Sequence, residues 1–293
     1  MTIVENSLIC RFFLFLWAAV LGAWEESRVS HALRAFGRGI ADTVQNSVGC
    51  QWLWREGILP RSWPDSLVCI LLSFLFNLPG TVCKFIYRIG KSVWDGSLFA
   101  RTLGWVCGQP YFFLGGFVAL MLIVPHASWN NLYGLFGAVA VTGIFYLGAA
   151  SRPSRELEIK DLGPYYIFFM AFVAYAFLGS LDWGMSIRFV GFHLAAFLLC
   201  LLAVSSVRKY GQVELVVALA VAGLTIASLY GCYQGVIGVS VVANQQDLLL
   251  NKGMPGRVYS FFDNPNNFAE LLVMLTPFTY ALFLNARTWR GKL

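Results

Sequence analysis

One short polar segment of the sequence has the residue types and spacing for chemistry. Arg257 precedes the tripeptide Asn264-Pro265-Asn266, which is followed by Asn267 and then by an apolar run. Proline fixes φ and asparagine can hydrogen-bond its own backbone, so this tripeptide predicts a rigid turn. A guanidinium offers paired donors to phosphate, and a helix N-terminus adds partial positive charge. The pattern predicts an anion site at Arg257, although a salt bridge to Asp263 or a snorkelling side chain would explain Arg257 equally well.

Glu270, in the apolar run itself, has two interpretations. It lies three residues after Asn267, so the pair predicts a capping box with Asn267 as the N-cap of the last helix. An ionisable group just inside a membrane helix is costly unless it is paired or functional, so Glu270 is also a candidate acid or base. The sequence favours the capping role.

The composition decides which solvent surrounds these residues. Of 293 residues, 58% are hydrophobic, 16% aromatic and 12% charged, whereas soluble domains carry about 25% charged residues. Lipid must therefore cover most of the surface, and the lipid bilayer is the first expected partner. The net charge of +6 is spread between apolar runs and not gathered into a basic domain, so we expect no nucleic-acid partner.

Apolar runs of suitable length predict an all-α, polytopic transmembrane helix bundle with about 6–8 spans. Six runs qualify, and they cover residues 110–125, 131–150, 163–180, 187–206, 213–233 and 268–286. The connections between them are alternately rich and poor in Lys and Arg. The rich ones hold Lys84, Arg88, Lys91 and Arg101; Arg152, Arg155 and Lys160; Arg208 and Lys209; and Arg287, Arg290 and Lys292. Because basic residues are retained in the cytoplasm, the connection around Arg257 is predicted to be extracytoplasmic.

The N-terminal third, residues 1–108, is predicted to be a separate membrane-associated region rich in aromatic and basic residues, followed by the bundle at 109–293. Its one apolar run, residues 66–78, is short for a span, and whether its flanks extend it across the membrane is left open. The stretches 31–40 and 81–104 combine basic and aromatic residues in the manner of helices lying in the headgroup region.

The remaining candidate residues are isolated. His31, His126 and His193 are far apart in the sequence and the seven cysteines include no CxxC pair, so we expect no metal and no cofactor. The cysteines are interpreted as small core residues, and His193 as a helix-packing residue. Arg188 near the outer end of the fourth run either snorkels or assists Arg257 at the same phosphate.

Together, Arg257, the motif Phe262-Asp263-Asn264-Pro265-Asn266 and the following run from Phe268 to Pro277 resemble the O-antigen ligase and polymerase superfamily of bacterial envelope glycosyltransferases. The resemblance covers roughly residues 110–293. It implies a multi-pass protein of the bacterial inner membrane that takes glycan from a polyprenyl-pyrophosphate carrier at the outer face. Arg257, with Arg188 as a second candidate, would then bind the pyrophosphate, and no cofactor is implied.

The chain departs from that family in one respect. Members of the family continue through further spans and a second large loop carrying Arg and a functional His, whereas this sequence ends at Leu293. The resemblance therefore implies only the N-terminal half of such an enzyme. Three alternatives stay open: a truncated gene product, a fragment of a longer sequence, or a chain whose C-terminal half is encoded separately and is its partner. A non-catalytic binder or transporter subunit for lipid-linked glycan is the alternative, and a membrane scaffold is a third.

Overall fold

The computed structural model of the protein describes residues 8–49, 57–128, 131–239 and 256–286. These residues form helices and connections with no β-strand among them. The helices are α1 (Leu8–Glu26), α2 (Arg28–Asn46), α3 (Ile58–Ser62), α4 (Leu67–Ile89), α5 (Lys91–Gly96), α6 (Leu98–Val106), α7 (Pro110–Ile123), α8 (Asn131–Ala149), α9 (Ile159–Leu162), α10 (Pro164–Leu178), α11 (Trp183–Ser206), α12 (Tyr210–Ile237) and α13 (Pro265–Asn285).

Within the described residues, five helices are long and apolar enough to cross a bilayer: α4, α8, α11, α12 and α13. Helices α6 and α7 meet at a bend of 60° and would form a sixth span if counted together. This confirms the predicted all-α polytopic membrane bundle, since a bilayer core admits helices that satisfy their own backbone groups.

Two of the predicted runs prove shorter than expected. The run 110–125 contributes only the 14 residues of α7, because the chain bends before Pro110. The run 163–180 forms α10, whose 15 residues lie between Gly163 and Gly179. At about 1.5 Å per residue, neither helix alone covers a hydrocarbon core about 30 Å thick.

The run around residues 66–78 is longer than the sequence indicated, because α4 continues through Pro79 to Ile89. The hydroxyl of Tyr146 on α8 donates to the carbonyl of Phe76, close to the proline. A Cβ built on Gly80 would lie 3.1 Å from Cδ1 of Tyr146. A neighbouring helix thus packs against α4 and bonds its backbone beside the proline, an environment in which prolines are tolerated in membrane helices.

Small residues let the central helices approach closely. Helix α12 packs along α7, and α11 packs along α8. A Cβ on Gly223 of α12 would lie 3.0 Å from the Cα of Ala119 in α7. The core of the bundle contains fully buried side chains from α8 and α11, among them Phe145, Leu201 and Leu202. Helix association in lipid depends on this kind of close packing, because lipid tails are as apolar as the side chains.

The basic connections meet at one end of the bundle. Arg208 lies 3.3 Å from both Glu158 and Asp161, and Lys84 lies 3.1 Å from Glu156. We call this end, with Lys84, Arg152, Arg155 and Arg208, the basic face. At the other end, the backbone N–H of His126 donates to the carbonyl of Phe261 at 2.8 Å. We call this end, with His126 and residues 256–264, the loop face.

The contacts divide the chain into two compact units, Met1–Arg61 and Ser62–Leu293. In the first unit α1 packs against α2, and the Ser27 hydroxyl caps α2 by accepting from the backbone of Val29 and Ser30. The stretch 31–40 lies within α2 and exposes Phe36 among other apolar side chains. In the second unit, the predicted amphipathic stretch 81–104 is divided among α4, α5 and α6.

The cysteines are only partly core residues. Cys69 and Cys107 are buried, as predicted, but Cys200 and Cys232 are exposed on the outside of α11 and α12. The interpretation as core residues is wrong for these two, because the surface of a membrane helix accepts small apolar side chains as readily as its core does. Cys50 and the side chain of Cys10 lie outside the described residues.

Candidate functional site

The loop face is held to the bundle by one buried amide. Gln234, near the end of α12, is 6% exposed. Its Nε2 donates to the carbonyl of Ser260 at 3.1 Å, and its Oε1 accepts from the backbone N–H of Ser260 at 2.7 Å and of Tyr259 at 3.3 Å. A buried amide that is fully paired fixes its neighbours, because breaking any of these bonds leaves a polar group without water.

Ser260 has an unusual backbone conformation for its type. Its φ is +55°, in the left-handed region that non-glycine residues rarely occupy. Its hydroxyl donates to the carbonyl of Ala227 at 2.5 Å, about two turns before Gln234 in α12, and the residue is 2% exposed. The loop therefore turns sharply at Ser260 and enters the bundle before it leaves again towards α13.

Aromatic side chains close the loop against the helices. The ring of Phe261 stacks on Tyr230 of α12 with centroids 4.5 Å apart, and Phe262 stacks on Phe268 of α13 at 6.0 Å. A Cβ on Gly231 would lie 3.0 Å from the Phe268 ring, so glycine is what allows this ring to reach α12. Residues 256–264 therefore fold back on the bundle and pack against it by such apolar contacts.

The last helix begins three residues earlier than the sequence indicated. Asn264 is its N-cap, with Oδ1 accepting from the N–H of Asn266 at 2.8 Å, and Pro265 occupies the first helical position. The prediction of Asn267 as N-cap and of a capping box with Glu270 is wrong. Proline is well suited to the first turn, where its missing N–H has no helical partner, so it begins the helix instead of ending a turn. Glu270 is an exposed residue within α13.

Arg257 is exposed and directed to the start of α13. Its Nη2 donates to Oδ1 of Asn266 at 2.8 Å. The predicted salt bridge to Asp263 is replaced by this bond, and the Asp263 carboxylate instead pairs with Nδ1 of His126. One bond to a neutral amide positions the guanidinium. Within the described residues Arg257 makes no ion pair, which fits the anion site that the sequence predicted.

The structure adds His126 to this site. It lies between α7 and α8, 137 residues before Asp263 in the chain, yet its Nδ1 contacts the Asp263 carboxylate. Both side chains are at least half exposed. A carboxylate at Nδ1 orients an imidazole and leaves Nε2 for a proton, an arrangement used in general base catalysis. Nothing in the sequence indicated this pair, whereas a glutamine in the last turn of an apolar helix was a signal for Gln234.

Two other candidates lie elsewhere. Arg188 is an exposed residue of α11, and within the described part of the chain it makes no hydrogen bond or ion pair. The structure does not join it to Arg257. His193, also on α11, has Nδ1 2.9 Å from the carbonyl of Phe189 and packs among the rings of Phe169, Phe189 and Phe192. That environment is the helix-packing role predicted for it.

Comparison of the chain with known protein families, with curated proteins and with solved structures finds no match. Within the residues that the structure describes, no three His, Cys, Asp or Glu side chains come together as metal ligands. The chemistry of the loop face is therefore derived from its own geometry.

Proposed function

We propose that the protein binds the pyrophosphate of a polyprenyl-linked glycan at its loop face, on the extracytoplasmic side of a bacterial inner membrane, as a glycosyltransferase-like protein of the O-antigen ligase type. The observation that carries this proposal is the exposed guanidinium of Arg257, held by Asn266 at the N-terminus of α13. Positive charge from the arginine and partial positive charge from the helix coincide there, which favours an anionic ligand.

The support of the loop makes the arginine suitable for such a role. Gln234 and Ser260 fix the backbone three residues beyond Arg257, and Asn264 and Pro265 fix the start of α13. A preorganised donor loses little conformational entropy when it binds, and it can stabilise a developing charge without rearranging. The charge expected here is that of the departing pyrophosphate.

His126 and Asp263 supply the group that transfer requires in addition to binding. In the proposed step, Nε2 of His126 takes the proton from an acceptor hydroxyl, and the oxygen forms a bond to the anomeric carbon of the glycan. The bond from that carbon to the pyrophosphate breaks, and the pyrophosphate leaves beside Arg257. Asp263 acts as a positioning residue, because it contacts the imidazole at Nδ1.

Binding is tested on the full chain in lipid nanodiscs with a fluorescent polyprenyl pyrophosphate. We expect Arg257→Ala to weaken binding about tenfold or more, since a hydrogen bond to a charged group contributes about 1.5–3 kcal/mol. Arg257→Lys should bind with intermediate strength, because lysine keeps the positive charge but lacks the paired N–H donors of the guanidinium. Arg88→Gln, an exposed arginine on α4, is the matched control and should bind like the parent chain. Equal binding by the parent chain and Arg257→Ala would overturn the proposal.

Transfer is tested separately, with a glycan-loaded carrier and an acceptor, with and without a separately encoded C-terminal partner. We expect His126→Asn to bind the carrier normally and to lose most of the transfer rate, because a positioned base typically contributes about 10²–10⁴-fold. A protein that binds the carrier through Arg257 and transfers no glycan under either condition is instead a binder or transporter subunit for lipid-linked glycan.

A further inference from the structure

Two arginines at the basic face, Arg152 and Arg155, lie together, and among the residues that the structure describes neither is paired with an acid. Nη2 of Arg155 donates to the carbonyl of Gly108 at 3.1 Å. The guanidinium of Arg152 lies against the same glycine, where a Cβ would be 2.5 Å from its Nη2. Burial lowers the pKa of the Arg155 guanidinium, and the neighbouring charge of Arg152 lowers that pKa further. Both side chains therefore remain close to each other at an energetic cost.

The position of these two arginines is fixed by the bend between α6 and α7. Gly148 of α8 lies so close to the bend that a Cβ on it would be 2.0 Å from the carbonyl oxygen of Cys107. Arg155 also lies 5.9 Å above the ring of Phe145, a cation–π contact. The guanidinium groups are thus parts of a rigid helix junction and not mobile surface side chains.

Three neighbouring basic residues of this face are neutralised. Lys84 pairs with Glu156, Lys160 with Glu158, and Arg208 with both Glu158 and Asp161. These acids lie in the same connection as Arg152 and Arg155, but they pair with other basic residues. Within the described residues neither Arg152 nor Arg155 makes an ion pair, and the Nη1 atom of each is buried without a hydrogen-bond acceptor. Buried N–H groups of a charged side chain are seldom left in this condition.

A cavity of about 530 Å³ lies beside this pair, between the ends of α4 and α8 and the helices α5 and α6. Its lining is mainly apolar and aromatic, with Ile86, Trp94, Leu103 and Trp105. It also includes Arg101 and, of the pair, Arg152. The acid in the lining is Asp95, which accepts a hydrogen bond from Tyr87. An apolar cavity with positive charge at one side suits a ligand that has both a fatty chain and an anionic group.

We propose that this cavity binds an anionic phospholipid, with its phosphate at Arg152 and Arg101 and its acyl chain along Trp105 and Leu103. The phosphate oxygens would accept hydrogen bonds from Arg152 and Arg101, which line the cavity, and their charge would offset the Arg152–Arg155 repulsion. The lipid, and not a soluble phosphate, is the occupant because the cavity opens between helices of a membrane bundle and its walls are apolar. The inference is independent of the function proposed for the loop face.

The experiment uses the full chain in detergent micelles, with native mass spectrometry to count bound lipid. Phosphatidylglycerol, phosphatidylcholine and inorganic phosphate are the probes. We expect phosphatidylglycerol to bind about tenfold or more tightly than phosphatidylcholine. Both lipids carry a phosphodiester, but the choline cation cancels the net charge of phosphatidylcholine, and each arginine near an anionic lipid contributes about 1 kcal/mol. Arg152→Gln with Arg155→Gln should remove most of this preference. Arg88→Gln with Lys91→Gln, which removes two exposed charges outside the cavity lining, should retain it.

A second variant keeps the test valid if the double arginine variant unfolds. Arg101 is exposed on α6, so Arg101→Gln should fold and should weaken phosphatidylglycerol binding several-fold. Unchanged preference in both the double variant and Arg101→Gln would overturn the proposal. Full protection against thermal unfolding by inorganic phosphate, at the concentration where the lipid protects, would also overturn it, because it would assign the arginines to a soluble anion.

Discussion

Gln234 of α12 binds the main chain of Ser260 through both polar atoms of its side-chain amide. One side chain thus pairs both the N–H and the C=O of a loop residue 26 positions further along the chain. This contact is the firmest link between the sequence motif and the bundle. It places the turn of the loop inside a membrane protein, where an unpaired backbone group has no water to replace its partner.

Gln234→Leu should loosen the loop face. The change keeps the side-chain volume approximately but leaves the N–H and C=O of Ser260 without partners, and each unsatisfied buried group costs about 1–3 kcal/mol. We expect a lower midpoint of thermal unfolding in detergent and faster hydrogen exchange at residues 258–262. Gln212→Leu, at the exposed start of the same helix, serves as the control and should cost only about 0.5–2 kcal/mol as a lost cap, with no change in exchange at the loop.

Ser260 should distinguish backbone conformation from side-chain bonding. Ser260→Ala keeps the strained left-handed φ and removes the hydroxyl bond to Ala227, whereas Ser260→Gly removes the bond but relieves a strain of about 1–2 kcal/mol. Thermal unfolding of the two variants should therefore rank alanine as the less stable. The opposite ranking would indicate that the turn does not need a left-handed residue.

Gly148→Ala should be among the most disruptive small substitutions in the bundle. A Cβ there would lie 2.0 Å from backbone oxygen, which cannot move aside as a flexible side chain can. Overpacking of this kind typically costs about 1–3 kcal/mol or more. Gly143→Ala on the same helix meets nothing within 4 Å, so it should be neutral or stabilising. Unfolding midpoints that are alike for the two variants would contradict the close approach of α8 to the bend.

Asn264→Ala should identify the true start of α13. As N-cap, Asn264 contributes about 1 kcal/mol to the helix, so its loss should lower the unfolding midpoint measurably. Asn267→Ala, inside the helix and exposed, should have little effect or a slightly favourable one, because alanine is the better helix former. A larger loss from Asn267→Ala would support the capping box with Glu270 that the sequence favoured.

The sequence alone determined the features that depend on local pattern. Long apolar runs require helices that satisfy their own backbone in lipid, so the multi-pass helical bundle follows from composition and run length. The connections rich in Lys and Arg also lie apart from a connection poor in them. Lys84, Arg152 and Arg208 lie at one face of the bundle, and His126 meets the loop at the other. The arginine and asparagine of the motif proved to be partners, as Arg257 and Asn266.

Only the tertiary structure decided which distant residues meet. Two helices have other bounds than the sequence indicated, because a proline can either end or begin a helix. Helix α4 continues through Pro79, where α8 packs against it, and α13 starts at Pro265 instead of after a turn. The pairing of His126 with Asp263 and the unneutralised pair of Arg152 and Arg155 depend on how helices cross and bend. The periodicity of apolar residues specifies which side of a helix is buried, but it does not specify which neighbouring helix that side contacts. These sites could therefore not be predicted from the sequence.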